Sequence, residues 1–548
     1  MTWPIPGDSL SAKALDNALP VHSAIDSAVA FGLYRASDFR ITTGLCTDSA
    51  TIPQALWYFR EETIAVPRSD VRVAAFAKGV STTEDLRLWL AGRAPNADPE
   101  YPPLIWIAAP DVVRQARLSA DASALQRGAT TMAASLTPRI ALNRSYFDSS
   151  SAAFLSSRLL SIRGRRVDGG FLMRTLWPED FRIPAAPPAL AFAANLASAP
   201  AWRSLVRSEP AGGARSPFAV STLWQRDPGS PLSGHAVLGL MLNGAQGDDD
   251  EAHAGHFALV TGRMRDDGAI GDWLVNNFYA LDAESEKGIV AAPVPLDNYL
   301  ADLNSGQGWY RPSQMLVAVL ADDRAPALVQ GALNRVYNQF WRHQLVYRHA
   351  TMNCTGISID VLRATGWDIP ARGAASRLLA AVGFPYFAAR ERSIAKASVT
   401  FDYLTEDMTR LMPAAAFEET SASLYALAEQ GGRHPDRSGM LAQLLGHDLR
   451  ALLLVRFPQF PSSRAFGDAP AVTPFEFHSR MPADPALLQV VPVPPRPFPE
   501  ELRDDDLLPA KRPPSAYAAA IWGVLLLVGI PVFVYRQWQR WRNRRLPT

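Results

Sequence analysis

The fold and chemistry of this chain are decided by the stretch Asn353-Cys354-Thr355-Gly356-Ile357-Ser358-Ile359-Asp360-Val361-Leu362-Arg363. Its apolar residues recur at three- and four-residue spacing, which predicts a helix that begins at the cysteine. A thiol at a helix N-terminus lies beside unpaired backbone N–H groups and the positive end of the helix dipole, and both lower its pKa. Because the thiolate is the nucleophilic form of cysteine, the stretch predicts a nucleophile at Cys354.

A second stretch, Gly255-His256-Phe257-Ala258-Leu259-Val260-Thr261-Gly262, predicts a strand that begins with a histidine. A histidine beside a cysteine can hold the thiolate as an ion pair and later protonate the leaving group. We therefore predict a dyad in which Cys354 attacks a carbonyl and His256 is the base. His235 has the same Gly-His-apolar context one strand earlier, so an alternative makes His235 the base and His256 the group that orients it.

The composition is that of an ordinary globular protein. Of the 548 residues, 48% are apolar and 20% are charged, and 54 Lys and Arg balance 53 Asp and Glu. This balance creates no global field that attracts nucleic acid, so we expect no nucleic-acid partner. The two cysteines, Cys46 and Cys354, are too few for a disulfide scaffold, and without a Cys/His zinc spacing we expect neither a metal nor another cofactor. The acidic run 248–251, with His253 nearby, predicts a solvated turn.

The secondary-structure pattern around the histidine predicts an α+β fold. Three apolar runs, at residues 234–243, 256–262 and 273–280, are separated by loops rich in Gly and Asp, which is typical of an antiparallel meander. Residues 324–349 have the apolar spacing of a helix that leads into the Cys354 helix. The expected architecture is an antiparallel sheet packed on the helix that carries the nucleophile.

Changes of composition along the chain predict its domain organisation. Proline is dense late in the chain, which favours an extended spacer rather than a helix. The predicted segments are a mixed α/β N-terminal region of unassigned role (1–215), a hydrolase domain (216–385), a helical extension (386–456), a proline-rich linker (457–514), a transmembrane helix (515–536) and a basic tail (537–548).

The membrane prediction comes from residues 516–535, about twenty residues without a charge, which match a single bilayer-spanning helix. Arginines crowd the tail that follows, so the positive-inside rule predicts a cytoplasmic tail and a periplasmic bulk at the inner membrane. The first ten residues have neither a basic nor an apolar signal region. A tail-anchored protein with a cytoplasmic bulk is therefore the alternative, and in both cases the membrane is an expected partner.

The order of the histidine strand, a second strand, a helical stretch and a Tyr-x(5)-Asn-Cys helix resembles the circularly permuted papain-like hydrolases, which include NlpC-type enzymes and lecithin:retinol acyltransferase. Over roughly residues 230–366 the chain is similar to the bacterial Lnb N-terminal periplasmic domain family. The segments that carry this similarity are Gly255-His256-Phe257, Val275-Asn276-Asn277-Phe278-Tyr279-Ala280, Trp309-Tyr310-Arg311-Pro312 and Tyr347-Arg348-His349-Ala350-Thr351-Met352-Asn353-Cys354-Thr355.

The resemblance implies a permuted papain-like sheet, a thiol-dependent hydrolase or acyltransferase, and a periplasmic location. It also implies that Asn277, which matches the Asn-Phe step of the family, orients the imidazole. Asn276 takes that place if the strand register differs by one residue. From the chemistry, the oxyanion of the reaction would be held by the backbone N–H of Cys354, together with the side chain of Asn353.

These predictions combine into a membrane-anchored cysteine hydrolase that cleaves an amide or ester bond in an envelope peptide or lipid. One alternative is a membrane-tethered scaffold that keeps the fold but only binds a partner. A second alternative is an acyltransferase, in which an amine or alcohol resolves the same acyl-enzyme instead of water.

Overall fold

The computed structural model describes residues 19–43, 62–93, 97–140, 146–190, 196–207, 217–244, 255–279, 291–342, 344–430 and 439–461. The helices are α1 (Ala24–Ser27), α2 (Thr82–Gly92), α3 (Ser149–Ser156), α4 (Ala199–Arg207), α5 (Leu296–Ala301), α6 (Arg324–Trp341), α7 (Cys354–Ala364), α8 (Arg377–Arg390), α9 (Ile394–Thr405), α10 (Met408–Leu411), α11 (Pro413–Glu429) and α12 (Met440–Asp448).

The strands of the described residues are β1 (His22–Ser23), β2 (Ala30–Phe31), β3 (Tyr34–Arg35), β4 (Phe39–Thr43), β5 (Thr63–Pro67), β6 (Ile105–Ala108), β7 (Asp111–Leu118), β8 (Ala124–Arg127), β9 (Thr130–Leu136), β10 (Leu160–Val167), β11 (Gly170–Pro178), β12 (Ala219–Gln225), β13 (Ala236–Asn243), β14 (His256–Arg263), β15 (Leu274–Asn277), β16 (Ala292–Pro295), β17 (Ser313–Leu320) and β18 (Leu449–Phe457).

A seven-stranded sheet carries the predicted histidine. Its strand order is β12-β18-β17-β13-β14-β15-β16, and every neighbouring pair is antiparallel. Strands β13, β14 and β15 form the meander that the sequence predicts. All residues of β13 and β17 are buried, which explains why these strands are continuous apolar runs rather than alternating ones. The sheet therefore forms the middle of the fold, with helix α7 packed against β14.

The N-terminal region forms smaller sheets. A six-stranded sheet has the order β1-β7-β10-β11-β9-β8, and an additional pairing between β7 and β8 closes five of its strands into a circuit. Strands β4, β5 and β6 form a third sheet, and β2 and β3 pair with each other. One core of buried apolar side chains includes residues of both large sheets. The N-terminal region is thus packed onto the part of the chain that carries the predicted site.

One part of the predicted helical extension is a strand. Helices α8 to α12 lie in the described part of the segment before residue 449, but its end forms β18, which lies between β12 and β17. The run Ala451-Leu452-Leu453-Leu454-Val455 is continuously apolar, and such a run is compatible with a buried strand and with a buried helix. It forms a strand because it pairs with β12 and β17, which lie more than a hundred residues earlier in the chain.

The prediction of a transmembrane helix is corrected. Among the described residues, none of the helices combines the length and the apolar character that crossing a bilayer requires. Helix α6 has 18 residues but contains Arg335 and the buried amides of Gln330 and Asn334. This finding contradicts the predicted membrane partner and the predicted inner-membrane location as well. The predicted span 515–536, the basic tail 537–548 and the proline-rich linker from residue 462 onwards lie outside the described residues.

The predicted fold class is therefore also wrong as it was stated. The described residues form a mixed α/β fold with twelve α-helices and several sheets, and none of these helices spans a membrane. The difference lies in the transmembrane helix, which the predicted fold class included and which none of the described helices can form.

Candidate active site

Asn353 holds the start of the helix that carries the cysteine. It is the N-cap of α7, and its Oδ1 accepts a hydrogen bond of 2.8 Å from the backbone N–H of Gly356. Its amide Nδ2 donates to the carbonyl oxygens of His349 at 2.8 Å and Leu411 at 3.2 Å. Both amide hydrogens are thus used in the resting structure. In this geometry Asn353 positions Cys354, and a role for it as an oxyanion donor would require one of these bonds to open.

The structure brings His256 and Cys354 together. His256 is the first residue of β14, and Cys354, a free cysteine, is the first residue of α7. Both are buried, with 8% and 6% of their surfaces exposed. The His256 side chain and the backbone N–H of Phe257 lie close enough to the thiol sulfur to lower its pKa, and the Thr355 hydroxyl lies 3.8 Å from it. The two residues that the sequence predicts as a dyad are therefore direct neighbours.

These contacts set the ionisation of the thiol. Burial raises the pKa of Cys354, but the positive charge of His256 and the hydrogen bonds from His256, Phe257 and Thr355 outweigh burial and lower the pKa from 9.0 to about 6. A thiol that is ionised at neutral pH beside a proton donor is the arrangement that nucleophilic catalysis by cysteine requires.

Alkylation of Cys354 by iodoacetamide is expected to titrate with a midpoint near pH 6 rather than 9. In His256→Ala only burial and weaker hydrogen bonds remain, so the pKa of the thiol should rise. At pH 7 the thiolate fraction, and with it the alkylation rate, should fall by about 100-fold. Peptide mass spectrometry separates Cys354 from Cys46. A wild-type midpoint at or above pH 9 would contradict the ion pair.

His235, the alternative base, lies at the other end of the same strand pair. The register of β13 and β14 pairs Ala236 with Arg263 and Asn243 with His256. His235 precedes Ala236, so about eight residues of extended strand, or about 25 Å, separate it from the His256 end. The structure therefore separates His235 from the Cys354 thiol and places His256 beside that thiol.

The strand register also separates Asn277 from Asn276. Asn276 is opposite Leu259 and bonds to its carbonyl oxygen and to Gln330 of α6. Side chains alternate along a strand, so Asn277 lies on the other face, the face of β14 that carries His256. Asn277 is buried, and its carbonyl oxygen accepts a hydrogen bond of 2.9 Å from Tyr337. Its face agrees with the predicted role, which stays a prediction.

Two residues that the sequence did not single out lie against the imidazole. Asn243 is directly opposite His256 in the register, and the Tyr299 ring centroid is 6.2 Å from that of His256. The Tyr299 hydroxyl donates to Oδ1 of Asn243, whose Nδ2 donates to Ser313 at 2.7 Å. His256 Nε2 is buried and has no hydrogen-bond partner in the described part of the chain. The imidazole thus packs beside Asn243 and Tyr299, which are hydrogen-bonded to each other.

Some of these contacts left a signal in the sequence. Asn243 is a polar residue at the end of an apolar strand, which is a detectable irregularity, whereas Tyr299 lies in a short helix without a motif.

Tyr347, part of the segment quoted for the resemblance, accepts a hydrogen bond of 3.4 Å from the Cys354 N–H. Its hydroxyl thus occupies the place where an oxyanion would bind that N–H. Cys46 and His253 lie outside the described residues.

Comparisons with protein-family models, with curated proteins and with solved structures found no match to this chain. The resemblance to the Lnb N-terminal periplasmic domain family therefore stays a prediction from the quoted segments.

Proposed function

We propose that this chain is a cysteine-dependent hydrolase that cleaves an amide or ester bond through an acyl-enzyme. The observation that carries the proposal is the contact of the Cys354 thiol with His256 at the start of α7. The permuted papain-like order of a histidine strand before a cysteine helix agrees with this chemistry.

The residues present account for each step of the reaction. The Cys354 thiolate attacks the carbonyl carbon, and the resulting oxyanion accepts the Cys354 N–H in place of the Tyr347 hydroxyl. The C–N or C–O bond breaks as the His256 imidazolium gives its proton to the leaving group, which leaves a thioester. Neutral His256 then takes a proton from water as the water attacks the thioester. The C–S bond then breaks, the acid product leaves, and the thiolate and imidazolium are restored.

The proposal is tested by trapping the thioester. Incubation with p-nitrophenyl acetate at pH 7 should release nitrophenolate and place an acetyl group on Cys354, as shown by peptide mass spectrometry. Release of acetate indicates hydrolysis, whereas acetylated glycinamide, formed when glycinamide is added, indicates transfer to an amine. Absence of acetylation in a folded protein whose Cys354 is alkylated at neutral pH would contradict the proposal and favour a binding scaffold.

A further inference from the structure

Helices α8 and α9 form a hairpin that packs mainly on itself. The hairpin leaves and rejoins the rest of the fold at one place, where the backbone N–H of Ser376 donates to the carbonyl oxygen of Leu404 at 3.1 Å. Inside the hairpin, the Phe384 ring of α8 meets the Phe401 ring of α9 edge to face, with the ring centroids 6.2 Å apart. Of the fourteen residues of α8, only Ala380 is buried. Most of α8 is therefore open to solvent.

The exposed side of α8 has the sequence pattern of a helix face that packs on another helix. From Leu378 onwards its residues recur at the spacings i, i+3, i+4, i+7, i+8 and i+11, which form one continuous stripe along a helix. We call this the α8 stripe, and its residues are Leu378, Ala381, Val382, Pro385, Tyr386 and Ala389, with Leu379 beside them. All are exposed, with 78% of the surface of Leu378, 66% of Val382 and 59% of Tyr386 open to solvent. An apolar stripe of this spacing usually faces a protein core, so the described part of the chain leaves it uncovered.

The α8 stripe has the area of a small protein–protein interface. Its exposed surface is about 600 Å², which is the upper end of what a monomeric protein leaves open as one apolar patch. Contact between two such stripes would bury about 1,200 Å² in total, and specific, stable interfaces begin at this size. Each copy of the chain thus presents enough apolar surface for a dimer.

The charges of α8 favour a protein helix over a lipid surface as the partner. Its charged residues are Arg377 and Arg390 at the two ends, and the stretch 378–389 between them is uncharged. A helix that lies in a lipid interface has a strongly charged face, rich in Lys and Arg, opposite its apolar face. The other side of α8 instead packs on α9 through Phe384. The uncharged stripe also gives a charged protein surface nothing to pair with, so the matching surface is itself apolar.

We propose that the α8 stripe is the contact between two copies of this chain, which pack stripe against stripe about a two-fold axis. Such a contact uses the same face of both copies, and an uncharged apolar stripe is complementary to itself. Dimers of this symmetry are the commonest protein oligomers. Large side chains alternate with small ones along the stripe, so the ridges of one helix fit the grooves of the other. The dimer goes beyond the hydrolase function and does not depend on it.

The test is sedimentation velocity of the full chain at concentrations from about 0.1 to 100 μM, a range that covers the affinity of a small interface. We expect the wild type to change from monomer to dimer within this range. Val382→Glu should raise the dissociation constant of the dimer by about 100-fold or more, because it buries a carboxylate without a partner in the centre of the contact. Since Val382 is mostly exposed in a single copy, the variant should keep the circular dichroism spectrum of the wild type.

The matched control is Val29→Glu, since Val29 is a valine outside α8 that is 74% exposed. It should dimerise as the wild type does. A wild type that stays monomeric at all these concentrations would overturn the proposal, and so would a dimer that Val382→Glu leaves unchanged, because its contact would lie elsewhere in the chain. If the monomeric wild type floats with vesicles of phosphatidylcholine and phosphatidylglycerol and Val382→Glu does not, the stripe binds lipid instead of a second copy.

Discussion

Cys354→Ala is expected to lower kcat/KM for an activated ester by about 10⁴-fold or more, because the acyl-enzyme can no longer form. The Cys354 side chain is almost fully buried, and alanine fits the same space, so the protein should remain folded. Release of nitrophenolate from p-nitrophenyl acetate measures the loss. Cys354→Ser should be similarly inactive, since a hydroxyl is not ionised by the contacts that ionise the thiol. Residual turnover above a tenth of wild type would contradict a nucleophilic role.

His256→Ala should cause a loss of similar size, because the thiol and the imidazole act as one unit in the proposed mechanism. For the same reason, the double variant with Cys354→Ala should be no less active than either single variant. His235→Ala is the matched control, since His235 has the same Gly-His-apolar context but lies at the other end of the strand pair. Its activity should stay within about twofold of wild type. Equal losses for the two histidine variants would contradict the assignment of the base.

The pair of Cys354 and His256 could be predicted from the sequence because each residue has a local signal. A cysteine after a helix-capping asparagine and a histidine at the start of an apolar strand are visible within a dozen residues. The sequence predicted His256 but left His235 as an alternative base, because both share one local context. The choice depends on which end of the β13 and β14 pair faces α7, and only the register shows this.

Contacts between distant segments explain what the sequence did not predict. Tyr299 reaches the imidazole through its bond to Asn243, a residue 56 positions earlier in the chain. Strand β18 completes the sheet beside β12, which ends more than two hundred residues before it. The contribution of the N-terminal region also depends on contacts between segments that are distant in the sequence. This region contains no motif, yet its helix α2 contacts both α6 and the helix α7 that starts with Cys354.

The contact of α2 with α6 is centred on a buried ion pair. Asp85 of α2 is fully buried, and its carboxylate accepts two hydrogen bonds from Arg335 of α6, at 2.7 and 3.1 Å. Gln339 of α6 donates to the same carboxylate at 2.9 Å, and the backbone N–H of Ala77 donates at 2.7 Å. Every lone pair direction of Asp85 thus has a partner, which is the condition under which a buried charge is tolerated. The pair joins the N-terminal region to the helix that leads into the candidate site.

Asp85→Ala is expected to lower the free energy of unfolding by about 3 kcal/mol, because it leaves the Arg335 charge buried without its bidentate partner. Glu100, whose Oε2 is 3.7 Å from Arg335, still offsets part of the Arg335 charge. The decrease in the free energy of unfolding should therefore lie at the lower end of the range found when buried ion pairs are broken. Urea unfolding followed by circular dichroism measures the change. Since α2 also contacts α7, alkylation of Cys354 at neutral pH should report whether the site loosens with the loss of this pair.

The matched control is Arg87→Ala on the same helix. Arg87 pairs with Glu84 at 3.7 Å, but the two side chains are 68% and 47% exposed, so solvent screens their attraction. This variant should change the free energy of unfolding by about 0.5 kcal/mol or less. The contrast separates burial from charge, because both substitutions remove one member of an ion pair from α2. Equal effects of the two variants would mean that the Asp85 pair does not hold the N-terminal region onto α6.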